Sequence, residues 1–539
     1  MAAVRLPTRD EAVLVNVLAR WATERPDREF ASFEDGTTWT YEELAARTWG
    51  VARALVDEVG ARQGEIVAAW LPNGPEALLA WFATNAAGCV YAPLNTAYRG
   101  AILETALGLT EARILVAHAD LVDRLADVEL PHLEVVVVVG NGARPDLPYR
   151  VVPFDDLAAR REDCPPALVR PIEPWHDMTV MLTSGTTGVS KAVRRTYVQY
   201  SLYTDTTFRL VGVDDADRFY VCAPMFHGGA DTPIFSMLQL GASVAVTESF
   251  SASRFWDDVR RFGCTVAWIH SAMSLFLAKQ PPQPDDRDNP LRLAMLAPLF
   301  PGFQEFADRH DMRVYMVYGM TEMPCVFSLL DPTDPKSLGP PADPGYQVRL
   351  VDEHDIEVER GTPGEMILRH ELPWAISPGY LNNAAATAAV WRNGWFHTGD
   401  VFVQDEDGSY FLVDRVKDSI RRRGENVSSA EVETELLTHP DVREAAVIGV
   451  PAEMEEEILA YVSFRPGASV APAALIDHLV PRLPYFALPR YIHVSESLPR
   501  NVALRPDKPA LRAAGLPEGV WDRDAAGVVA RRERFARRS

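Results

Sequence analysis

The chain is poor in the residues that mark whole classes of protein. Five cysteines are spread over 539 residues, at Cys89, Cys164, Cys222, Cys264 and Cys325, with no CxxC pair. An odd, scattered set argues against a disulfide framework or a thiolate zinc site and fits a reducing compartment. Cations are in the minority: 53 Lys and Arg against 75 Asp and Glu give a net charge of −22. A general nucleic-acid binder needs clustered Lys and Arg, so that class is excluded, although a small anion held in a local positive pocket is not. The basic ending ARRERFARRS reads as a solvated tail. No apolar run approaches the ~18 residues of a membrane span. The first residues also lack the basic, apolar and small-residue pattern of a secretory signal. The expectation is a cytoplasmic protein with no membrane span and no nucleic-acid partner.

What remains is an ordinary globular composition, 47% apolar and 24% charged, in a chain too long for one core. In the first half, EIVAAWLPNG, CVYAPLN, ARILVAHAD and LEVVVVVG read as near-continuous apolar strands, and PEALLAWFATNAAG reads as a helix. Such strands alternating with helices predict a parallel sheet covered on both faces. The pattern restarts with DRFYVCAPMFH, PIFSMLQLGA, SVAVTESF, ASRFWDDVRRFG and CTVAWIHSA, which predicts a second α/β subdomain. From about Tyr346 the apolar residues alternate, as in an antiparallel sheet or small barrel. After DEDGSYFLVDRVKD the pattern becomes helix, strand, strand. The fold class expected is α/β: a large N-terminal domain over 1–416, made of two α/β subdomains and a small β-barrel-like one. A small mobile α+β domain follows over 417–539, with the hinge at Lys417.

The densest chemical stretch is TSGTTGVSK, from Thr183 to Lys191. Glycine lets backbone approach an anion, hydroxyls and backbone N–H groups surround its oxygens, and the lysine adds charge. The spacing is not GxxxxGK[ST], so this is not the usual NTPase loop.

Three further stretches follow in order: YGMTE (Tyr318–Glu322), WFHTGD (Trp395–Asp400) and DRVKDSIRRRGENVSSAEVE (Asp414–Glu433). With these four motifs the chain resembles the adenylate-forming superfamily of acyl-CoA synthetases, peptide-synthetase adenylation domains and luciferases, over nearly its whole length. FSASRFWDDVRRFG and the ending WDRDAAGV give it the texture of ligases resembling crotonobetaine/carnitine–CoA ligase.

The resemblance implies roles. Thr183, Ser184, Gly185, Thr186, Thr187, Gly188 and Lys191 would hold the β- and γ-phosphates of ATP. Tyr318, beside Gly319, would stack on adenine. Thr321 would contact the α-phosphate and Glu322 would bind Mg²⁺, a hard cation that takes carboxylate and phosphate oxygens. Asp400 would accept hydrogen bonds from the ribose hydroxyls, with Arg415 assisting. Gly424 matches the glycine beside the pantetheine tunnel of CoA-using members, and Arg421, Arg422 and Arg423 would meet CoA phosphates or form a solvated basic turn. The reaction implied is attack of an oxyanion on the α-phosphorus, loss of pyrophosphate, and displacement of AMP by a second nucleophile after the small domain swings about Lys417.

The pattern breaks near the C-terminus. Relatives carry a catalytic lysine in a stretch like LPRTPTGKVLK; here LPRNVALRPDKPALR puts Arg505 at that position and Lys508 at a second, non-catalytic one. Arg keeps the charge but is larger, planar and forked. Arg505 performing the task, Lys508 reaching in, and a substrate that is not an ordinary carboxylate all stand open. The acid pocket implied by the resemblance contains His227, Trp268, His270 and Met323. Trp268 would shorten it against long fatty acids, and a histidine there binds a small anion, relays a proton or sits as a core residue. The expected function is an ATP- and Mg²⁺-dependent ligase that activates a small or polar acid and passes it to CoA. One rival activates nitrite and passes it to an aromatic amine, forming a diazo group. Another is an inactive adenylate-binding relative.

Overall fold

The computed structural model describes residues 5–140, 147–183, 191–300, 302–415, 419–453, 455–499 and 506–528. The two expected α/β passes are two sheets. The first has seven strands; Val135–Val139, Ile114–His118, Ile66–Trp70 and Val90–Pro93 lie side by side in parallel, with Arg150–Pro153 outside them at one end. The five residues of Val135–Val139 are all buried, because helices cover both faces. The second has eight strands, with Leu293–Ala297, Val266–His270, Arg218–Val221 and Ser243–Val246 parallel at its centre. One large apolar cluster, containing Trp81, Phe82, Phe235 and Leu238, packs the two sheets together.

Neither sheet is purely parallel. Strand Asp177–Thr183 pairs antiparallel with Lys191–Thr196, and Arg313–Met320 pairs antiparallel with Met323–Leu330. The reason is the connection length. Only Thr321 and Glu322 separate the second pair, and a parallel crossover needs a dozen residues or more. TSGTTGVSK lies in sequence between the strands of the first pair, of which only Thr183 and Lys191 are described, and YGMTE carries the second pair's reversal at the edge of its sheet.

The alternating stretch after Tyr346 forms a four-stranded antiparallel sheet in the order Tyr346–Val351, Gly364–His370, Phe396–Gln404, Tyr410–Arg415. Beyond it, the hairpin Ser419–Arg422/Glu425–Ser428 precedes helix Ser429–Leu437 and a mixed sheet built on Val442–Pro451 and Glu456–Phe464. Lys417 lies outside the described residues.

The C-terminal unit has its own core of Ile420, Val427, Val432, Val447, Ile458 and neighbours, and Ile102 of the N-terminal domain is buried in it. Ile102 sits on helix Gly100–Thr110, and the partly buried Ala97 and Tyr98 just before that helix pack on the same cluster. Trimming a buried isoleucine to alanine costs about 2–5 kcal/mol. Ile102→Ala is therefore expected to raise hydrogen exchange in helix Ser429–Leu437 by at least about tenfold while the first sheet stays protected. Unchanged exchange there would show that this contact does not hold the two units together.

Candidate functional site

A single cavity of ≈1510 Å³ runs between the N-terminal domain and the C-terminal hairpin. Thr183, Lys191, Tyr318, Gly319, Thr321, Glu322 and Asp400 line it, as do His227, Trp268, His270 and Gly424. Residues more than 200 positions apart in sequence thus share one enclosure. Ser184, Gly185, Thr186, Thr187, Gly188 and Arg505 lie outside the described residues, and Arg415 is described only by its backbone, which pairs with Asp400 across two strands.

On the nucleotide side, the Tyr318 hydroxyl donates to Asp400 Oδ2 at 2.6 Å. Both residues are almost fully buried, so the bond fixes the ring against the second strand of the YGMTE hairpin and the carboxylate against the WFHTGD strand. Thr398 Oγ1 accepts from the Asp400 backbone N–H at 3.1 Å and completes the support. Glu322 is 8% exposed, and its Oε1 accepts from the Tyr380 hydroxyl at 2.8 Å. Burial, and then the neighbouring Glu322 charge, raise the Tyr380 phenol well above its ordinary range, so it remains a donor. Lys191 Nζ lies 4.8 Å from the centre of the same ring. Tyr380 thus connects the two charged residues expected to face the phosphates.

No group of three or more His, Cys, Asp or Glu side chains suited to a metal ion occurs among the described residues. The Mg²⁺ expected here does not need such a group. That ion is held by one or two protein carboxylates, with phosphate and water oxygens supplying the rest. Glu322 is the cavity carboxylate that would contribute, and the ion would neutralise charge on the phosphates.

At the residues expected to meet the acid, the Trp268 indole donates to the Tyr315 hydroxyl at 2.5 Å and stacks on Phe208 with centroids 5.4 Å apart. The indole is thereby held in place in the cavity wall. His270 ends the same strand. A Cβ placed on Gly229 would come within 2.9 Å of His270 Nε2, so only glycine in the first turn of helix Gly228–Leu240 leaves room for this ring. Burial pushes the His270 imidazole down to about 4, with Arg421 and then His227 adding to the shift. The ring is neutral at pH 7 and does not act there as a cation for an anion. His227 caps that helix from the outside, and its Nε2 meets Glu425 Oε2 at 2.7 Å. This contact joins the two domains.

Three expectations need correction. Met323 is fully buried in the core and does not line the cavity; its carbonyl accepts from the Tyr203 hydroxyl at 2.9 Å, and Met320 faces the cavity instead. The reason is the pleat of the hairpin, which turns Met323 away from the cavity. Arg422 is not part of a basic turn open to phosphates. It is 1% exposed, donates to the carbonyls of Phe486 and Leu488, and pairs with Glu457 at 2.6 Å. Burial lowers its guanidinium to about 10 despite that partner. Arg421 and Arg423, flanking it on the hairpin, do line the cavity. Lys508 is also placed elsewhere: its Nζ bonds Ser429 Oγ and Glu433 Oε1, each at 2.8 Å, within the C-terminal unit.

Sequence reasoning missed Tyr380, Glu425 and Arg195. Glu425 directly follows Gly424 in RRRGEN and was within reach of inspection. Tyr380 and Arg195 carry no pattern of their own and gain meaning only from what folding puts beside them.

The chain matches the family model described as AMP-binding enzyme over residues 18–381 and the AMP-binding enzyme C-terminal domain over 431–503. It is similar to an oxalate–CoA ligase of Arabidopsis thaliana, 28% identical over 92% of this chain and 97% of that one. It is also similar to the crotonobetaine/carnitine–CoA ligase of Salmonella arizonae, 27% identical over 87% and 94%. Among solved structures, the amide bond synthetase McbA of Marinactinospora thermotolerans superposes with a TM-score of 0.78 at 27% identity, covering 92% of this chain and 99% of that one. ATP-bound MatB from Rhodopseudomonas palustris gives a TM-score of 0.66 at 27% identity, covering 93% and 98%. With the family models spanning most of its length, this chain belongs to the AMP-binding enzyme family.

Proposed function

We propose that the protein is an Mg²⁺- and ATP-dependent, AMP-forming ligase. It activates a small or polar acid as its adenylate, releases pyrophosphate, and hands the activated group to a nucleophile, CoA by default. The observation that carries this reading is the continuity of the cavity. Glu322, Lys191, Asp400, Trp268, His270 and, from the C-terminal hairpin, Gly424 all border the same space. The protein's contribution is positioning and charge neutralisation around a phosphorus undergoing in-line attack. Lys191 and Glu322 supply the charge, the bond between Tyr318 and Asp400 keeps the nucleoside wall rigid, and the locked Trp268 selects short acids.

A second reading has a specific observation in its favour. A pocket end closed by Trp268 and containing a neutral imidazole suits a very small acid and a protic acceptor, and nitrite with an aromatic amine is such a pair. Acid-dependent release of AMP and pyrophosphate separates the two. Short carboxylates, aryl acids, carnitine-like acids and nitrite are each tested with and without CoA and an aromatic amine. Turnover of a carboxylate that requires CoA establishes the acyl-CoA ligase, and turnover of nitrite with amine, indifferent to CoA, establishes diazo formation. ATP binding without pyrophosphate release for any acid would refute both and leave an inactive nucleotide-binding relative.

Two substitutions test the phosphate side. Glu322→Ala is expected to lower Mg²⁺-dependent pyrophosphate release at least tenfold, about 1.4 kcal/mol of barrier, and wild-type activity would remove its metal role. Lys191→Ala is expected to weaken turnover without abolishing it, and an unchanged rate would take the loop's lysine out of the mechanism.

A further inference from the structure

Glu322 sits in the two-residue connection between strands Arg313–Met320 and Met323–Leu330, and its carboxylate is met by one side chain from a distant segment. That segment, SPGYLNN, is tied on both sides. Towards the turn, the Ser377 backbone N–H donates to the Glu322 carbonyl at 2.7 Å. Towards the strand that begins at Lys191, the Arg194 N–H donates to the Gly379 carbonyl at 3.1 Å and the Leu381 N–H to the Ala192 carbonyl at 2.8 Å, which sets Tyr380 opposite Val193 in an antiparallel bridge. The Tyr380 N–H donates to Thr387 Oγ1 at 3.0 Å. The backbone around the buried tyrosine is thus fixed before its side chain makes any contact. Its hydroxyl then donates to Glu322 Oε1 at 2.8 Å, while Glu322 Oε2 has no hydrogen bond or ion pair among the described residues. A carboxylate that borders the cavity is therefore left with one oxygen committed and one open to a ligand.

We propose that Tyr380 is the positioning residue for Glu322, and that by occupying one carboxylate oxygen it makes the site prefer Mg²⁺ to a larger divalent cation. The inference rests on the metal role given to Glu322 in the reading above. With Oε1 held by the phenol O–H, the carboxylate meets a cation through Oε2 alone. Mg²⁺ demands near-ideal octahedral geometry and keeps several waters, so a single protein oxygen in a fixed direction suits it. Ca²⁺ takes more oxygens at longer distances and accepts both from one carboxylate, so it gains less from a partner that withholds one. The hydrogen-bond partner of a ligating carboxylate orients it and is conventionally worth about 10–100-fold in metal affinity. The ring of Tyr380 has a second contact, with Lys191 Nζ 4.8 Å from its centre. Tyr380→Phe removes the hydroxyl and keeps the ring, so it isolates the effect on Glu322.

The test is the affinity of the full-length protein for ATP, read by calorimetry with no acid present, in Mg²⁺, in Ca²⁺ and in EDTA. The gain over EDTA is the contribution of the metal. Tyr380→Phe is expected to reduce the gain from Mg²⁺ by about tenfold and that from Ca²⁺ by less than about threefold, so that the preference for Mg²⁺ shrinks. Glu322→Gln should reduce both gains. Adding Tyr380→Phe to Glu322→Gln should reduce neither further, because the hydroxyl acts through the carboxylate and the two changes are not additive. An undiminished gain from Mg²⁺ in Tyr380→Phe would overturn the proposal, including the case in which affinity falls equally in all three conditions, as a merely structural role would have it. Equal loss of the two gains, or a further loss on top of Glu322→Gln, would overturn it as well. A Glu322→Gln protein that keeps the wild-type gain from Mg²⁺ would instead overturn the metal role beneath it, and this inference with it.

Discussion

The active cavity depends on one buried ion pair. Arg195 Nη1 donates to Asp231 Oδ2 at 2.6 Å, and both side chains are 1% exposed. Two charges out of water are tolerated only when each is paired and hydrogen-bonded, and removing one partner of such a pair costs about 3–5 kcal/mol. Here the Tyr200 hydroxyl and Thr232 complete the set, with Arg195 donating to both. The pair crosses a subdomain boundary, since Arg195 belongs to the edge strand of the first sheet and Asp231 to a helix over the second. Its reach is longer still. Arg195 packs over the rings of Tyr200 and Tyr203. Tyr203 donates to the carbonyls of Met320 and Met323, and Gln199 to that of Thr321. The turn that carries Glu322 is therefore gripped at three carbonyls by one short helix, and that helix is anchored by the ion pair.

This frame explains the division of labour between the domains. The wall that would meet the nucleotide is rigid, because each functional side chain in it has a buried partner: Asp400 has Tyr318, and Glu322 has Tyr380. The C-terminal unit instead meets the N-terminal domain partly through solvated contacts. Those between His227 and Glu425 and between Lys279 and Glu453 have substantially exposed members, and exposed pairs are worth at most about 1 kcal/mol. Ile102 adds an apolar peg.

Much of this was legible in the chain. The two α/β passes, the antiparallel sheet after Tyr346 and the C-terminal α+β unit follow from apolar runs and alternation, which are local signals. The motif residues Lys191, Tyr318, Thr321, Glu322 and Asp400 were also readable, and folding brings them to one cavity. What escaped is non-local. Nothing in SPGYLNN says that Tyr380 will hold Glu322 across 58 residues. Arg422 and Arg423 look alike in RRRGEN, yet one is buried against Glu457 and the other lines the cavity. The antiparallel pairing that turns Met323 inward is fixed by a two-residue connection, a constraint of geometry more than of composition. His270 was visible as a residue, but its lowered basicity comes first from burial and then from Arg421, more than 150 positions away.

The unusual end of the chain is constrained by the same physics. Lys508 is the lysine nearest the altered motif, and sequence alone leaves it competing with Arg505 for the place beside the reacting acid. In the folded C-terminal unit Lys508 is 15% exposed and bonds both Ser429 and Glu433. Glu433 in turn accepts from the Val447 backbone N–H at 2.6 Å, linking helix Ser429–Leu437 to the end strand Val442–Pro451 of the domain's sheet. Charge-assisted bonds of this kind contribute about 1.5–3 kcal/mol each. Drawing Lys508 into the cavity would break two of them and leave a half-buried carboxylate unpaired, and Pro506 and Pro509 on either side limit how the backbone can adjust. In this arrangement Lys508 is part of the domain's framework. Any cation required beside the acid during adenylation would have to come at a lower cost than this, and the guanidinium of Arg505, at the position where relatives carry lysine, is the group on which the sequence places that demand.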